Sequence, residues 1–394
     1  MESDREPTAL TPDGLTVYEV RVIAGAVAAA TAPQAGLTRV QRAVLNAMCE
    51  FLLGVPIDVA AAEPVGATDF AQGMLRHDRR LIHRIVQAML VGELLLSPIP
   101  LDVSGRVEAY AAALGVDDET IRTAREMAQG SLGMALIDFD RSGYFDQLGG
   151  PTSVGLPAVA DTIWQRDWDN PGLASRWMAL GSCPEGSLGL AVWRFYTARG
   201  FAFPGTQHSA PPLLAQHDWI HVLADYGSTV ESEIEVFGLI ARASPDFRCF
   251  SLLAMVISLF ETGSIAEGAG GFFERDAGHI SRDADRMGVR LGDAMSRGKR
   301  LANALEEQGR PSDSDLLAVD WFIHADDPLE QVREDFVIAE KSGRAVDAGS
   351  VGPWQPGGIS IYQFEFGRRQ ARRDGRPYET WGGVPIEGEM KSDL

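Results

Sequence analysis

From Val20 to about Tyr144, apolar side chains recur at spacings of three and four, as in "RVQRAVLNAMCEFLLGV" (39–55) and "RRLIHRIVQAMLVGELLL" (79–96). A strand would need apolar groups at every second position, so this pattern leaves only helices with one apolar face each. Ala, Leu and Met dominate these segments rather than β-branched runs, which adds local helix preference to the pattern. The expected fold is all-α.

The chain has 394 residues, of which 45% are apolar. That exceeds what one hydrophobic core usually organises, so two helical domains are expected. A disordered N-terminus over 1–19 precedes a helical bundle over 20–146, with Asp117 and Asp118 placed to start its last helix. "FDQLGGPTSVGLP" (145–157) clusters Gly, Pro, Ser and Thr, and marks a linker over 147–160. A second all-α domain follows over 161–343, and residues 344–394 form a Gly/Arg-rich, short irregular C-terminal extension. Within that tail Ile359–Phe366 alternates like a strand, suggesting a short hairpin or arm. Arg368, Arg369, Arg372, Arg373 and Arg376 then form a basic patch, read as a solvated extension or a dock for another subunit.

Fifty-five acidic side chains against 35 basic ones give a formal charge of -20, which repels phosphate backbones and argues against a nucleic-acid partner. Cys49, Cys183 and Cys249 are far apart and fit neither a zinc ribbon nor a disulfide framework. The start "MESDREPTALTPDG" lacks the features of a signal peptide, and no uncharged run reaches the ~18 residues of a membrane span. The expected compartment is the cytoplasm.

The stretch "QHDWIHVLADYGSTVESEIEVF" (216–237) carries the chemistry. His217 and His221, four apart, share a helix face, and Asp218 leans the same way. That helix is expected from near Ser209 to about Tyr226, with Pro211 and Pro212 in its first turn. Ser228 and Glu231 read as a capping box that starts a second helix at once. His221 and Glu233 then lie equally far from Gly227, at one level, so Glu233 can face the histidines. Glu235, about 200° further around, points elsewhere. Two nitrogen and two carboxylate ligands suit Zn²⁺ first, and accept Fe²⁺, Co²⁺ or Mn²⁺. The bland alternative is a solvated acidic face formed by Glu231, Glu233 and Glu235, with ordinary helix histidines opposite.

"RHDRRLIH" (76–83) is a decoy, because on a helix His77 and His83 leave about 240° apart, and Arg76, Arg79 and Arg80 repel a cation. His208, His279 and His324 stand singly and read as surface or capping residues. "SLG" (187–189) reads as an N-cap or an anion-binding helix start. "FRCFSLLAMVISLF" (247–260) is apolar nearly all round, as a buried or lipid-lining helix is. Gly288, Gly292 and Gly298 inside a helical pattern point to close approach by a neighbouring helix or a prenyl chain.

"HDWIH" followed by Glu233 resembles the HDxxH…E signature of the coenzyme Q biosynthesis protein 4 family. "CPEGSLGLAVWRFYTARGF" (183–201) is similar to its P-x-G-[ST]-L-G segment, and "DDPLEQVREDFVI" (326–338) to its PL-x-x-VR helix. Together they cover residues 161–338. Residues 89–130 resemble the small helical tellurite-resistance protein B module, without a shared motif. The first resemblance implies an all-α fold, a metal held by His217, Asp218, His221 and Glu233, with Asp218 also catalytic, and a greasy cavity. It further implies a prenylated aromatic substrate or lipid, contact with a membrane surface, and a homo-oligomer or other quinone-synthesis proteins as partners. The reaction implied is oxidative decarboxylation, carboxyl to hydroxyl, of a polyprenylated hydroxybenzoate-type ring. A non-catalytic lipid-binding scaffold is the alternative, and a metal phosphohydrolase of the HD type is a third reading.

Overall fold

The computed structural model describes residues 15–53, 55–96, 99–116, 170–206, 209, 212–244, 248–262 and 278–386. The last bundle helix expected from Asp117, the linker over 147–160 and His208 lie outside them. What is described is helical, as the periodicity requires, with isolated backbone bridges joining Ser187 to Pro328 and Pro356 to Val384. The N-terminal helices are α1 (Val17–Thr31), α2 (Arg39–Leu53), α3 (Ala67–Met74), α4 (Arg79–Leu94) and α5 (Leu101–Ala113). There follow α6 (Pro171–Ala179), α7 (Leu188–Arg199), α8 (Pro212–Leu223), α9 (Val230–Ala243), α10 (Arg248–Thr262), α11 (His279–Arg282), α12 (Ala284–Glu307), α13 (Leu329–Asp335), α14 (Gly343–Asp347) and α15 (Ile361–Arg373).

The buried apolar side chains form one cluster that runs from α1 to α13. α9 lies along α12, which also packs on α2, while α10 is held between α4 and α9. α10 is the apolar segment singled out above; Cys249, Phe250, Leu253, Ala254, Val256, Ile257 and Phe260 are all buried, so ordinary core packing accounts for it. Gly298 lets α12 meet α9, because a Cβ there would stand 2.4 Å from the carbonyl oxygen of Leu239. Gly288 and Gly292 line a groove of about 440 Å³ between α2 and α12, whose walls include Glu50, Asp285, Asp293 and Arg344. Those charged groups do not suit a prenyl chain.

The decoy histidines part company at a helix start. Asp78 caps α4 by accepting from the Arg80 amide, so His77 lies in the turn before the helix and His83 inside it. His77 Nε2 sits 2.9 Å from Glu19 Oε1, and Arg76 pairs with the same carboxylate. Arg79 bonds the carbonyls of Leu114 and Gly115, so this segment ties helices together rather than forming a merely solvated face. Glu19 is buried, which alone would raise its pKa, but the Thr16 amide and hydroxyl, Arg76 and His77 outweigh burial and bring it down to about 2. A depressed carboxyl stabilises the fold above its unfolded pKa and loses that contribution as the pH falls through the folded value. Glu19→Gln is therefore expected to flatten the acid limb of stability between pH 4.5 and about 2, measured as the urea midpoint against pH. An unchanged acid limb would exclude Glu19 as its source.

The tail is not a strand or a loose arm. Ser360 and Gln363 make a reciprocal capping box that starts α15, and Gln363, Phe366, Gly367 and Ala371 form its buried face, with the helix packed on α7. Of the five arginines, Arg368 pairs with Glu365 and Arg376 with Asp374, while Arg372 and Arg373 are exposed. Among the described residues no helix is long and apolar enough to cross a membrane.

Candidate metal centre

α8 begins at Pro212, where a proline costs no backbone hydrogen bond, and it ends at Leu223, short of the expected Tyr226. Cations stop it. Arg333 of α13 donates to the carbonyls of Val222 and Leu223, Arg297 of α12 to that of Ala224, and Lys341 to that of Asp225. Positive groups at the carbonyl end of a helix both satisfy the last acceptors and complement the helix dipole. Asp225 then takes a left-handed conformation (φ 58°), its carboxylate paired with Lys341 at 2.9 Å.

The turn into α9 also departs from the local pattern. Thr229, not Ser228, occupies the cap position, and the Ser228–Glu231 capping box does not form. The Ser228 hydroxyl is engaged elsewhere, donating to Gln363 Oε1 (2.7 Å) and accepting from Arg199 Nε (2.5 Å). The Gly227 amide donates to Val351 O and the Ser228 amide to Gly358 O. Gly227 packs so closely on Gly358 that a Cβ would stand 2.8 Å from its Cα. Residues 351–363 of the tail thus form the clasp of the α8–α9 turn.

Across that turn Glu233 meets the two histidines, while His217, Asp218 and His221 form the mutually close group. Glu233 Oε1 lies 3.2 Å from His221 Nε2, Glu233 Oε2 3.4 Å from His217 Nε2, and Asp218 Oδ1 3.6 Å from His217 Nε2. His217, Asp218 and His221 each offer an atom within 4.8 Å of the other two. All three are at most 1% exposed, and the Glu233 side chain is 12% exposed, so any approach is from the glutamate side. Phe195 stacks on the His221 ring and Phe237 packs on that of His217.

The protonation geometry favours a cation. His221 Nδ1 stands 2.5 Å from the Gly227 carbonyl, which can only accept, so Nδ1 carries a hydrogen; a neutral ring then turns the Nε2 lone pair to the centre, and a protonated ring turns an N–H toward Glu233. Nε2 is buried and makes no hydrogen bond, although a carboxylate oxygen is beside it. Burial pushes the Glu233 carboxyl up, but in the metal-free site the charge of a protonated His221 and contacts from both imidazoles outweigh that and hold it well below the usual range. Two carboxylates and two imidazoles here require a positive charge among them, which a proton or a divalent cation supplies. His217, Asp218 and His221 fit a divalent ion, with Glu233 beside the histidines, and such nitrogen and oxygen donors are ones that Zn²⁺ takes and that Fe²⁺, Co²⁺ and Mn²⁺ accept.

Glu235 is not on a solvated face. It is 1% exposed and pairs with Arg290 of α12 at 2.6 Å. One residue of the centre has no signal in sequence spacing: Tyr196 of α7 donates its hydroxyl to Asp218 Oδ2 at 2.5 Å across 22 residues. Its only mark is a hydroxyl on an otherwise buried helix face. Among the described residues no third histidine joins the cluster, which an HD phosphohydrolase would need. His324 pairs with Asp327, and His279 opens α11. Ser187 caps α7 by accepting from the Leu190 amide, and the next amides, Leu188 and Gly189, donate to Asp327 O and Ala325 O, leaving that helix start no anion site. The three stretches carrying the coenzyme Q biosynthesis protein 4 resemblance come together, since α7, α8 and α13 touch pairwise. No family model matches the chain, and no curated protein or solved structure matches it.

Proposed function

We propose that this protein is a metal-dependent enzyme of ubiquinone or related prenyl-aromatic metabolism, an oxidative decarboxylase that replaces a ring carboxyl with a hydroxyl on a polyprenylated hydroxybenzoate-type substrate. The observation that carries it is the convergence of His217, Asp218, His221 and Glu233 in a buried site, in the order HDxxH…E. The contact among the three resembling stretches supports the same reading. A bound Zn²⁺, or Fe²⁺, Co²⁺ or Mn²⁺, would supply Lewis-acid polarisation of a ring carboxylate or phenolate. Asp218 and Glu233 balance the charge of a dication with two neutral imidazoles, and the aromatic walls exclude water. The substrate's anionic group enters past Glu233, the one donor with exposure. Replacing carboxyl by hydroxyl is a net oxidation, so with Zn²⁺, which has no redox chemistry, the electron-rich ring itself reacts with dioxygen.

One observation favours a second reading. Three of the donors are at most 1% exposed, as in a site that staples α8 to α9 within a lipid-binding scaffold. Asp218→Asn separates the two. Catalysis predicts that turnover of a prenylated hydroxybenzoate falls by about 10–100-fold or more with a small change in thermal midpoint. The scaffold predicts a lower midpoint on metal loss with lipid binding intact. Turnover equal to that of the unmodified chain would remove the catalytic reading.

A further inference from the structure

We propose that Tyr196 is a positioning residue that commits Asp218 to bind the cation through one oxygen, an inference that rests on the metal reading above. Tyr196 is fully buried, and its ring cannot swing: it stacks on Phe203 (5.4 Å between centroids, 5° between planes) and packs against Trp177 and, edge-on, Phe201. The hydroxyl at its end therefore has a fixed position, 2.5 Å from Asp218 Oδ2. A phenol facing a carboxylate donates, and such a charge-assisted bond is short and strong. Oδ2 is thereby engaged with α7, while Oδ1 stands 3.6 Å from His217 Nε2, on the side of the other donors.

Two consequences follow for an ion at this centre. Asp218 would contribute one oxygen instead of two, which keeps the coordination number low. The carboxylate is also held in its ligating orientation before metal arrives, so no rotamer freedom is lost on binding. Tyr196 acts on the ion only through Asp218, and its role is confined to affinity and geometry.

The test is zinc affinity of the full chain by competition with a chromophoric chelator, together with the visible spectrum of the cobalt(II)-loaded chain. Tyr196→Phe keeps the ring and its stacking and deletes only the hydroxyl. It is expected to weaken zinc binding by about 10–100-fold and to lower the cobalt absorption as both Asp218 oxygens become available. In an Asp218→Asn background the same change should have no further effect, because the pair acts as one unit. Zinc affinity and cobalt spectrum equal to those of the unmodified chain, or additive losses in the double variant, would overturn the assignment whatever happens to the thermal midpoint. An unmodified chain that takes neither zinc nor cobalt would instead bring down the metal reading, and this inference with it.

Discussion

His221→Ala and His217→Ala are each expected to purify without a divalent metal, whereas His77→Ala carries the same content, near one ion per chain, as the unmodified protein. Elemental analysis of the gel-filtered chains reads this directly. His221 Nε2 faces a carboxylate with no hydrogen bond of its own, and its other nitrogen is fixed by Gly227, so removing the ring takes away a prepared ligand. His77 has a more exposed imidazole, and its Nε2 is already held by Glu19 in a turn that offers no second ligand nitrogen. Equal metal in all three variants would dispose of the centre.

The neighbouring glutamates should divide stability from binding. Glu235→Gln is expected to cost about 3–5 kcal/mol in the urea unfolding of the metal-free chain, because it leaves the Arg290 guanidinium, 9% exposed, without its counter-charge. Its zinc affinity should stay close to that of the unmodified chain. Glu233→Gln should do the reverse, losing metal with a small change in metal-free stability, since its side chain touches the histidines and retains some solvent access. Metal lost by Glu235→Gln and kept by Glu233→Gln would place α9 in the wrong register. The sequence pattern alone makes Glu235 look silent, because three alternating glutamates resemble a wet face; only the arrival of α12, with Arg290 55 residues downstream, turns that face inward.

What was legible is what local spacing controls. The all-α class follows from three-and-four periodicity, and His217 with His221 follows from a spacing of four. Counting from Gly227 places Glu233 opposite them, and it lies 3.2 Å from His221 Nε2 and 3.4 Å from His217 Nε2 although α8 stops at Leu223. What was illegible depends on partners far along the chain. The Ser228 hydroxyl would cap α9 in isolation, but Gln363 and Arg199 occupy it. Ile359–Phe366 alternates like a strand, yet the Ser360–Gln363 box and the buried positions 363, 366, 367 and 371 give a helix. Tyr196 needs the packing of α7 on α8 before it has any relation to Asp218.

The clasp on the α8–α9 turn sets an order of events in time. The four proposed ligands lie between residues 217 and 233, but Gly358 and Gln363, which hold Ser228, come 130 and 135 residues later. At about 5–20 residues per second, the ribosome makes that intervening chain in roughly 7 to 27 seconds. During this interval the histidines exist while the turn that faces them toward Glu233 is still open. On the proposed metal reading, selectivity by geometry would begin only when the tail has folded back, so the ion that remains would be chosen by the completed protein, and any taken earlier would be held by a looser set of ligands.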